Sequence, residues 1–329
     1  MPKPDQINGA LHDGQLSLHY QPLVALQGNS VRGVEALLRW NHPDGLLTAA
    51  AFLPGLENTP VMREITEFAL ATACTAVAAD APRHWTVSVN LAAADAVSDQ
   101  LVDLVTAALD ASGLAPERLV LEITETGFLD GRHTEVAGVL GRLRDLGVGI
   151  SLDDFGTGHS SLTLLRALPV TELKIDSVFV ANIETSSNDA AIITNIIRLA
   201  GAFEASVVAE GVEVLGQATL LAQLGCDYGQ GYLWSRAAPL ADVVDLSPST
   251  LSGKRRGRPA QVVSDRIAKM AAEGNSAATI AAALNSDGIN TPDDKHWHRA
   301  SVNAHLRWLA RLDESSGGPR KSPERADRD

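Results

Sequence analysis

Cysteine is almost missing from this 329-residue chain. Cys74 and Cys226 are the only two, far apart and inside apolar segments. That argues against a disulfide framework and for a reducing compartment, the cytoplasm. Long apolar runs are missing as well. No stretch of about eighteen apolar residues occurs, so no membrane span is expected. The opening MPKPDQINGALHDGQ has no apolar core of a secretion signal. The nine histidines show no metal-ligand spacing; His296 and His298 flank Trp297 without cysteine partners, so no zinc site is expected there. Aromatics are scarce and alanine is abundant.

Positive charge is also short overall, but unevenly so. Residues 1–253 carry 13 Lys/Arg against 30 Asp/Glu, a net of −17, whereas residues 254–312 carry 10 against 5, a net of +5. An acidic first segment does not draw nucleic acid by long-range charge; a basic second one can. The sign changes at Lys254, just after the Ser/Pro/Gly stretch SPSTLSG (247–253). The length suits one large domain and a small one. The expected boundaries are a domain over 1–246, a basic linker over 247–260, a helical domain over 261–312 and a polar, disordered tail over 313–329.

What is present in the first segment is a repeated arrangement. Short β-branched-rich runs each end on a carboxylate, an amide or a lysine. They are VRGVE at Glu35, TVSVN at Asn90, LVLEITE with Glu122 and Glu125, GVGISLDD at Asp153 and Asp154, ELKID with Lys174 and Asp176, SVVAE at Glu210, and a stretch closing at Gln230. Each has the length of a buried parallel strand. Helical patterns separate them at 61–80, 99–112, 134–146, 188–202 and 214–224, three of them stopped by Gly113, Gly147 and Gly225. Alternating strand and helix predicts an α/β fold, and about eight units predict a closed barrel with its chemistry at the strand ends. LSLHYQPLVAL (16–26), the turn GNS and VRGVEALLRW read as a hairpin, so the first strand is expected to run antiparallel. A ring of acids at one mouth is costly unless matched by positive charge. Hard oxygen donors without Cys or His point to magnesium or manganese.

The blocks EALLRW (35–40), SVNLA (88–92), LEITET (121–126), DDFGTGHSSL (153–162), LKID (173–176), AEGVE (209–213) and QGY (230–232) resemble, in order and spacing, the EAL-domain phosphodiesterases. The resemblance covers about residues 8–246. It implies a modified TIM-like (β/α)8 barrel with an antiparallel first strand. It also implies cleavage of cyclic di-GMP to linear pGpG with two magnesium or manganese ions per site, and a homodimer. It assigns Glu35, Asn90, Glu122 and Asp153 to one ion, with Asp153 and Asp154 reaching a second. Lys174 and Glu210 fall where the family contacts the attacking water or the second metal, Gln230 falls near that water, and Glu125 fastens the loop carrying DDFGTG. Gln21, Leu38, Arg39, Asp176 and Glu213 fall on the substrate side; Arg39 and Gln21 match groups that hold phosphate and guanine. Ala237 stands where the family commonly has proline. A receptor that binds the dinucleotide without cleaving it, and regulates transcription, is the alternative.

The second segment begins KRRGRPA (254–260), similar to the Arg-Gly-Arg-Pro core of an AT-hook. Gly257 lets a flat backbone enter a narrow A·T minor groove, with Arg256 and Arg258 along its floor. Three helices are expected after it, over 261–273, 277–285 and about 299–312. The run from Arg266 to Leu309 resembles the helix-turn-helix of serine recombinases and invertases, with Gly274, Ile280, Leu284, Asn285, Gly288, Thr291, Trp297 and Val302 in matching places. That resemblance implies duplex DNA as a partner. The second helix, AATIAAALN, has almost no side chains to read bases, so readout would move to the third, with Arg299 and Arg307. A protein-docking module is the other reading of these helices.

Overall fold

The computed structural model describes residues 4–56, 59–124, 133–156, 161–246, 261–287, 289, 296–299, 301–303 and 305–306. The chain divides into two compact units, Met1–Ser252 and Gly253–Asp329.

The first unit is a barrel. Its strands are β1 (Leu16–Ala25), β2 (Ser30–His42), β3 (Gly45–Thr48), β4 (Thr86–Asn90), β5 (Leu119–Thr124), β6 (Gly149–Phe155), β7 (Glu172–Ile175), β8 (Ser206–Ala209) and β9 (Tyr228–Gly229). Their order is β1-β9-β8-β7-β6-β5-β4-β2-β3, and β1 also pairs with β2, so eight strands close the ring and β3 hangs on β2 outside it. From β2 through β4 to β9 neighbouring ring strands are parallel, while β1 is antiparallel to both β2 and β9. The modified (β/α)8 architecture with a reversed first strand is therefore present. The short strand β3 was not expected from the sequence.

Strand alternation sorts the side chains. Val34, Ala36, Val87, Val89, Leu121, Ile123, Ile150, Leu152, Leu173 and Ile175 are buried in the apolar core. The intervening Glu35, Ser88, Glu122, Ser151, Glu172 and Lys174 are buried polar groups that fill the lumen. Helices Pro60–Asp80, Gln100–Ser112, His133–Asp145, Ser187–Ala202 and Leu215–Leu224 supply apolar residues to the core. Gly113 and Gly225 end two of them in the left-handed conformation that glycine adopts without cost.

The second unit has helices Gln261–Ala272 and Ala277–Ser286. Ser276 caps the latter by accepting from Thr279 N at 3.1 Å. Ile267, Ile280, Ala281, Leu284, Trp297 and Val302 form its own core. Asn285 clamps the chain around Trp297: its Nδ2 donates to Trp297 O at 2.9 Å and its Oδ1 accepts from Trp297 N at 2.7 Å. Among the described residues no helix is long and apolar enough to cross a membrane.

Candidate active site at the barrel mouth

Lys174 is the centre of the site. It stands on β7, 1% exposed. Its Nζ lies 2.6 Å from Glu210 Oε1, 2.7 Å from Glu122 Oε2, and 3.5 Å from both Glu35 Oε2 and Asp153 Oδ1. Those four acids come from β2, β5, β6 and the residue after β8, so one ammonium ties together strand ends from across the ring. Asn90 Nδ2 donates to Glu35 Oε1 at 2.8 Å, and Gln230 Nε2 donates to Glu35 Oε2 at 2.6 Å. Gln21, opposite Glu35 in the β1–β2 register, accepts from Gln230 Nε2 at 3.3 Å.

Asp153 and Asp154 reach the same region through a break in the sheet. Leu152 pairs with Leu173 and Phe155 with Ile175. Two residues of β6 therefore face Lys174 alone, which is a β-bulge. Asp154 takes up the extra residue with φ of 55°, a conformation Asp tolerates better than most side chains. Simple alternation would send adjacent aspartates to opposite faces. Here ligand atoms of Asp153, Asp154 and Glu210 all lie within 4.8 Å of one another.

Four carboxylates, Glu35, Glu122, Asp153 and Glu210, thus meet one ammonium, and Asp154 stands beside them, which leaves four negative charges in excess when all five are ionised. The protonation equilibria show the strain. Burial, then Glu35, pushes the Glu122 carboxyl well above the usual range, Lys174 notwithstanding. Burial raises Glu210 to about 7 against the pull of Lys174. Burial and then Asp153 raise Asp154. Glu35 goes the other way: burial acts to raise it, but Lys174, Gln230 and Asn90 together hold it below its ordinary value. Burial acts to lower Lys174, and the surrounding acids hold it well above.

The donor set fits divalent cations. It is all oxygen, it carries the charge excess two such ions would match, and Glu122 Oε1 is buried with no hydrogen-bond partner. Lys174 engages Glu35, Glu122, Asp153 and Glu210, and Asn90 donates to Glu35, so an ion here would share these acids with the ammonium.

A cleft of about 690 Å³ opens above this floor, with Gln21, Glu35, Asp153, Glu210, Glu213 and Gln230 on its walls. That size suits a nucleotide-sized ligand. Other positions singled out from the sequence fall differently. Leu38 is 7% exposed and packs in the apolar core, whereas Leu37 lines the cleft. The reason is period two: Glu35, Leu37 and Arg39 share one face of β2, and Leu38 has the other. Arg39 Nη1 donates to Leu38 O at 2.8 Å. Asp176 accepts from Val178 N at 2.8 Å and caps the helix Ser177–Val180. Tyr232 and Val178, which the sequence reading passed over, also line the cleft. Arg299 is exposed at the start of the third helical segment of the second unit. Glu125, positions 157–160 of the DDFGTGHSSL run, Arg256, Gly257, Arg258, Arg307 and the tail lie outside the described residues.

The EAL domain family matches residues 5–237, and a family described as Recombinase matches residues 260–309. The bifunctional diguanylate cyclase/cyclic di-GMP phosphodiesterase MucR of Pseudomonas aeruginosa is 42% identical over 234 residues, 70% of this chain and 34% of that protein. The cyclic di-GMP phosphodiesterase NbdA of the same organism is 40% identical over 241 residues, 72% of this chain and 31% of that protein. The chain thus spans about a third of the length of these relatives. Among solved structures, the PaMucR phosphodiesterase in complex with c-di-GMP superposes with a TM-score of 0.68 at 41% identity, covering 73% of this chain and 98% of that one. With its motifs in register on a barrel of this topology, the chain belongs to the EAL domain family.

Proposed function

We propose that the chain is a metal-dependent phosphodiesterase that hydrolyses cyclic di-GMP to linear pGpG. The observation that carries the reading is the cluster itself: four carboxylates on a single buried ammonium with Asp154 beside them, beneath a cleft of nucleotide size. The EAL relatives named for this activity support it. Glu35, Asn90, Glu122 and Asp153 would hold one magnesium or manganese ion, and Asp153 with Asp154 a second. Two such ions, when bound, supply a water acidic enough to attack near neutral pH and charge to match the phosphoryl oxygens.

The protein's own groups do the rest. Lys174 holds the acids at one spacing and adds positive charge where the phosphorane-like transition state gathers negative charge. Glu210, 2.6 Å from Lys174 and grouped with Asp153 and Asp154, contacts the attacking water or the second ion. The Gln230 amide fixes Glu35 and lies beside Gln21, which faces the base. Arg39, its guanidinium aimed by the Leu38 carbonyl, receives a phosphate oxygen. Glu213 and Asp176 shape the substrate side. Glu125 is assigned the loop-fastening role of its motif.

For the second unit we propose duplex DNA binding through the Arg256-Gly257-Arg258 arm together with Arg299 and Arg307, supported by the +5 charge of residues 254–312 and the Recombinase match. Two assays test the whole reading. Purified chain with cyclic di-GMP and manganese, resolved by chromatography, should yield pGpG, and Glu35→Ala should slow it on the order of a hundredfold or more. Binding without product would favour the receptor reading, and neither binding nor product would overturn the substrate. In a DNA shift assay, log affinity should fall with log salt by about 0.9 for each phosphate neutralised. Arg256→Ala with Arg258→Ala should reduce that slope; a wild type that binds no duplex at low salt leaves the helices as a docking module.

A further inference from the structure

The barrel has a second charged layer beneath the acids at its mouth. It begins with another β-bulge. Leu23 of β1 pairs with Gly33 of β2 and Val24 with Val31, so Arg32 has no partner on β1. Gly33 lets β2 close on β4 at this point: a Cβ there would meet Thr86 Oγ1 at 2.3 Å and Thr86 O at 2.6 Å. From the bulge, Arg32 reaches three other strands. Its Nη1 donates to Thr86 Oγ1 of β4 at 3.0 Å and lies 3.8 Å from Glu172 Oε2 of β7. Its guanidinium stands 4.7 Å from the ring centroid of Tyr228 on β9, a cation–π contact. Glu172 is 2% exposed. Ser206 Oγ donates to its Oε2 at 3.4 Å, and its Oε1 is buried with no hydrogen-bond partner.

Glu172 and Lys174 stand two residues apart on β7, so they share a face and are separated by about 7 Å along the lumen. In register, Glu172 lies beside Ser151, and Ser151 beside Glu122, a span of two strand spacings or about 10 Å. The lumen therefore carries charges of alternating sign: Arg32, Glu172, Lys174, then the acids of the mouth. Burial raises the Glu172 carboxyl, and Arg32, then Lys174, oppose that, so two cations draw on one carboxylate. Lys174 shares its four acids with any ion that binds them. Glu172 is not among those four, and it pulls on the ammonium from below. A negative charge at this depth favours a cation above it, and a positive charge disfavours one. We propose that Arg32 and Glu172 set the affinity of the barrel mouth for divalent metal, Glu172 raising it and Arg32 lowering it. The inference rests on the metal-site reading above. Arg32 is the farther of the two from the mouth, and its side chain is 29% exposed against 3% for Glu172, so its effect is the smaller.

The test measures manganese binding to the full chain by titration calorimetry, without substrate and in mildly alkaline buffer, for wild type, Glu172→Gln, Arg32→Met and the double variant. Glu172→Gln keeps the shape and removes the charge; it should weaken manganese binding about tenfold, the scale of changes just outside a ligand set. Arg32→Met should strengthen binding about threefold. The double variant should fall between the two. A barrel that is merely loosened binds less tightly in every variant, so the opposite signs separate charge from structure. Should Arg32→Met not fold, the same sign is read from the double variant, which buries no unpaired carboxylate at 172 and should bind more tightly than Glu172→Gln. If the two single variants shift affinity the same way, or neither moves it by more than about twofold, the inference is wrong while the metal site stands. If the wild type binds no manganese, the metal reading and this inference fall together.

Discussion

Removing divalent metal should make the barrel's stability fall as pH rises, and restoring it should reverse that slope. The reason lies in Glu210, whose carboxyl is raised from 4.5 to about 7, first by burial and against the attraction of Lys174. Its side chain is 23% exposed, so solvent screening is limited. A group with a folded pKa above its unfolded value binds its proton more tightly in the folded protein. Its contribution is complete below about 4.5 and is lost as pH climbs to about 7. At 1.36 kcal/mol per pKa unit, the loss is about 3 kcal/mol. For a unit of this size, that corresponds to a Tm decrease of roughly 6–12 °C. Glu122 and Asp154, also raised, act in the same direction. An ion that needs Glu210 as a carboxylate lowers its folded pKa, so with metal the stability should hold or rise over the same interval. Thermal unfolding followed by circular dichroism at several pH values from 4.5 to 7.5, in chelator and in manganese, reads this directly. Glu210→Gln, which has no proton to gain, should flatten the chelator curve. A chelated wild type whose Tm is constant or rises with pH, or a slope unaffected by manganese, would refute the reasoning.

Three further outcomes are expected. Lys174→Met strands Glu35, Glu122, Asp153 and Glu210 without their common ammonium and should cost about 3–5 kcal/mol near pH 7.5 in denaturant unfolding; a loss under about 1 kcal/mol would mean the acids are held neutral without it. Asp154→Asn removes a carboxylate whose charge is disfavoured by burial and by Asp153 while keeping a residue that tolerates φ of 55°, so it should raise the Tm of the metal-free protein while lowering turnover on the order of a hundredfold; a variant that loses both would place Asp154 in folding. Asn285→Ala frees the backbone N–H and C=O of Trp297 and should destabilise the second unit by about 2 kcal/mol, seen in its tryptophan fluorescence, with the barrel transition unmoved.

Much of the barrel is legible in the sequence because its signals are local. Runs such as TVSVN and GVGISLDD carry strand propensity and an apolar outer face, and the glycines at 113 and 225 mark helix ends. The GNS turn between two alternating runs exposes the reversed first strand. The strand-end acids can be read because a parallel barrel collects strand ends at one mouth. What cannot be read is set by register and by distant partners. The bulge that turns Asp154 toward Asp153 depends on how β6 pairs with β7, which neither strand states alone. Leu37 in place of Leu38 on the cleft wall follows from alternation counted from Glu35, a signal that was available. The hold of Arg236 on Tyr232 needs the loop after β9 pinned to Val212. Arg32, on β2, lies 3.8 Å from the buried Glu172 of β7, a pair no motif announces because the strands meet only through the closed ring.

The most direct measurement is the rate of pGpG formation from cyclic di-GMP as manganese is added stepwise to metal-stripped protein. With all five carboxylates ionised, the four negative charges in excess of Lys174 match two divalent ions. The rate should therefore stay near zero in chelator and climb steeply as the second equivalent is bound. Full turnover in chelator, a rate complete at one equivalent, or no product at any manganese concentration would contradict the account.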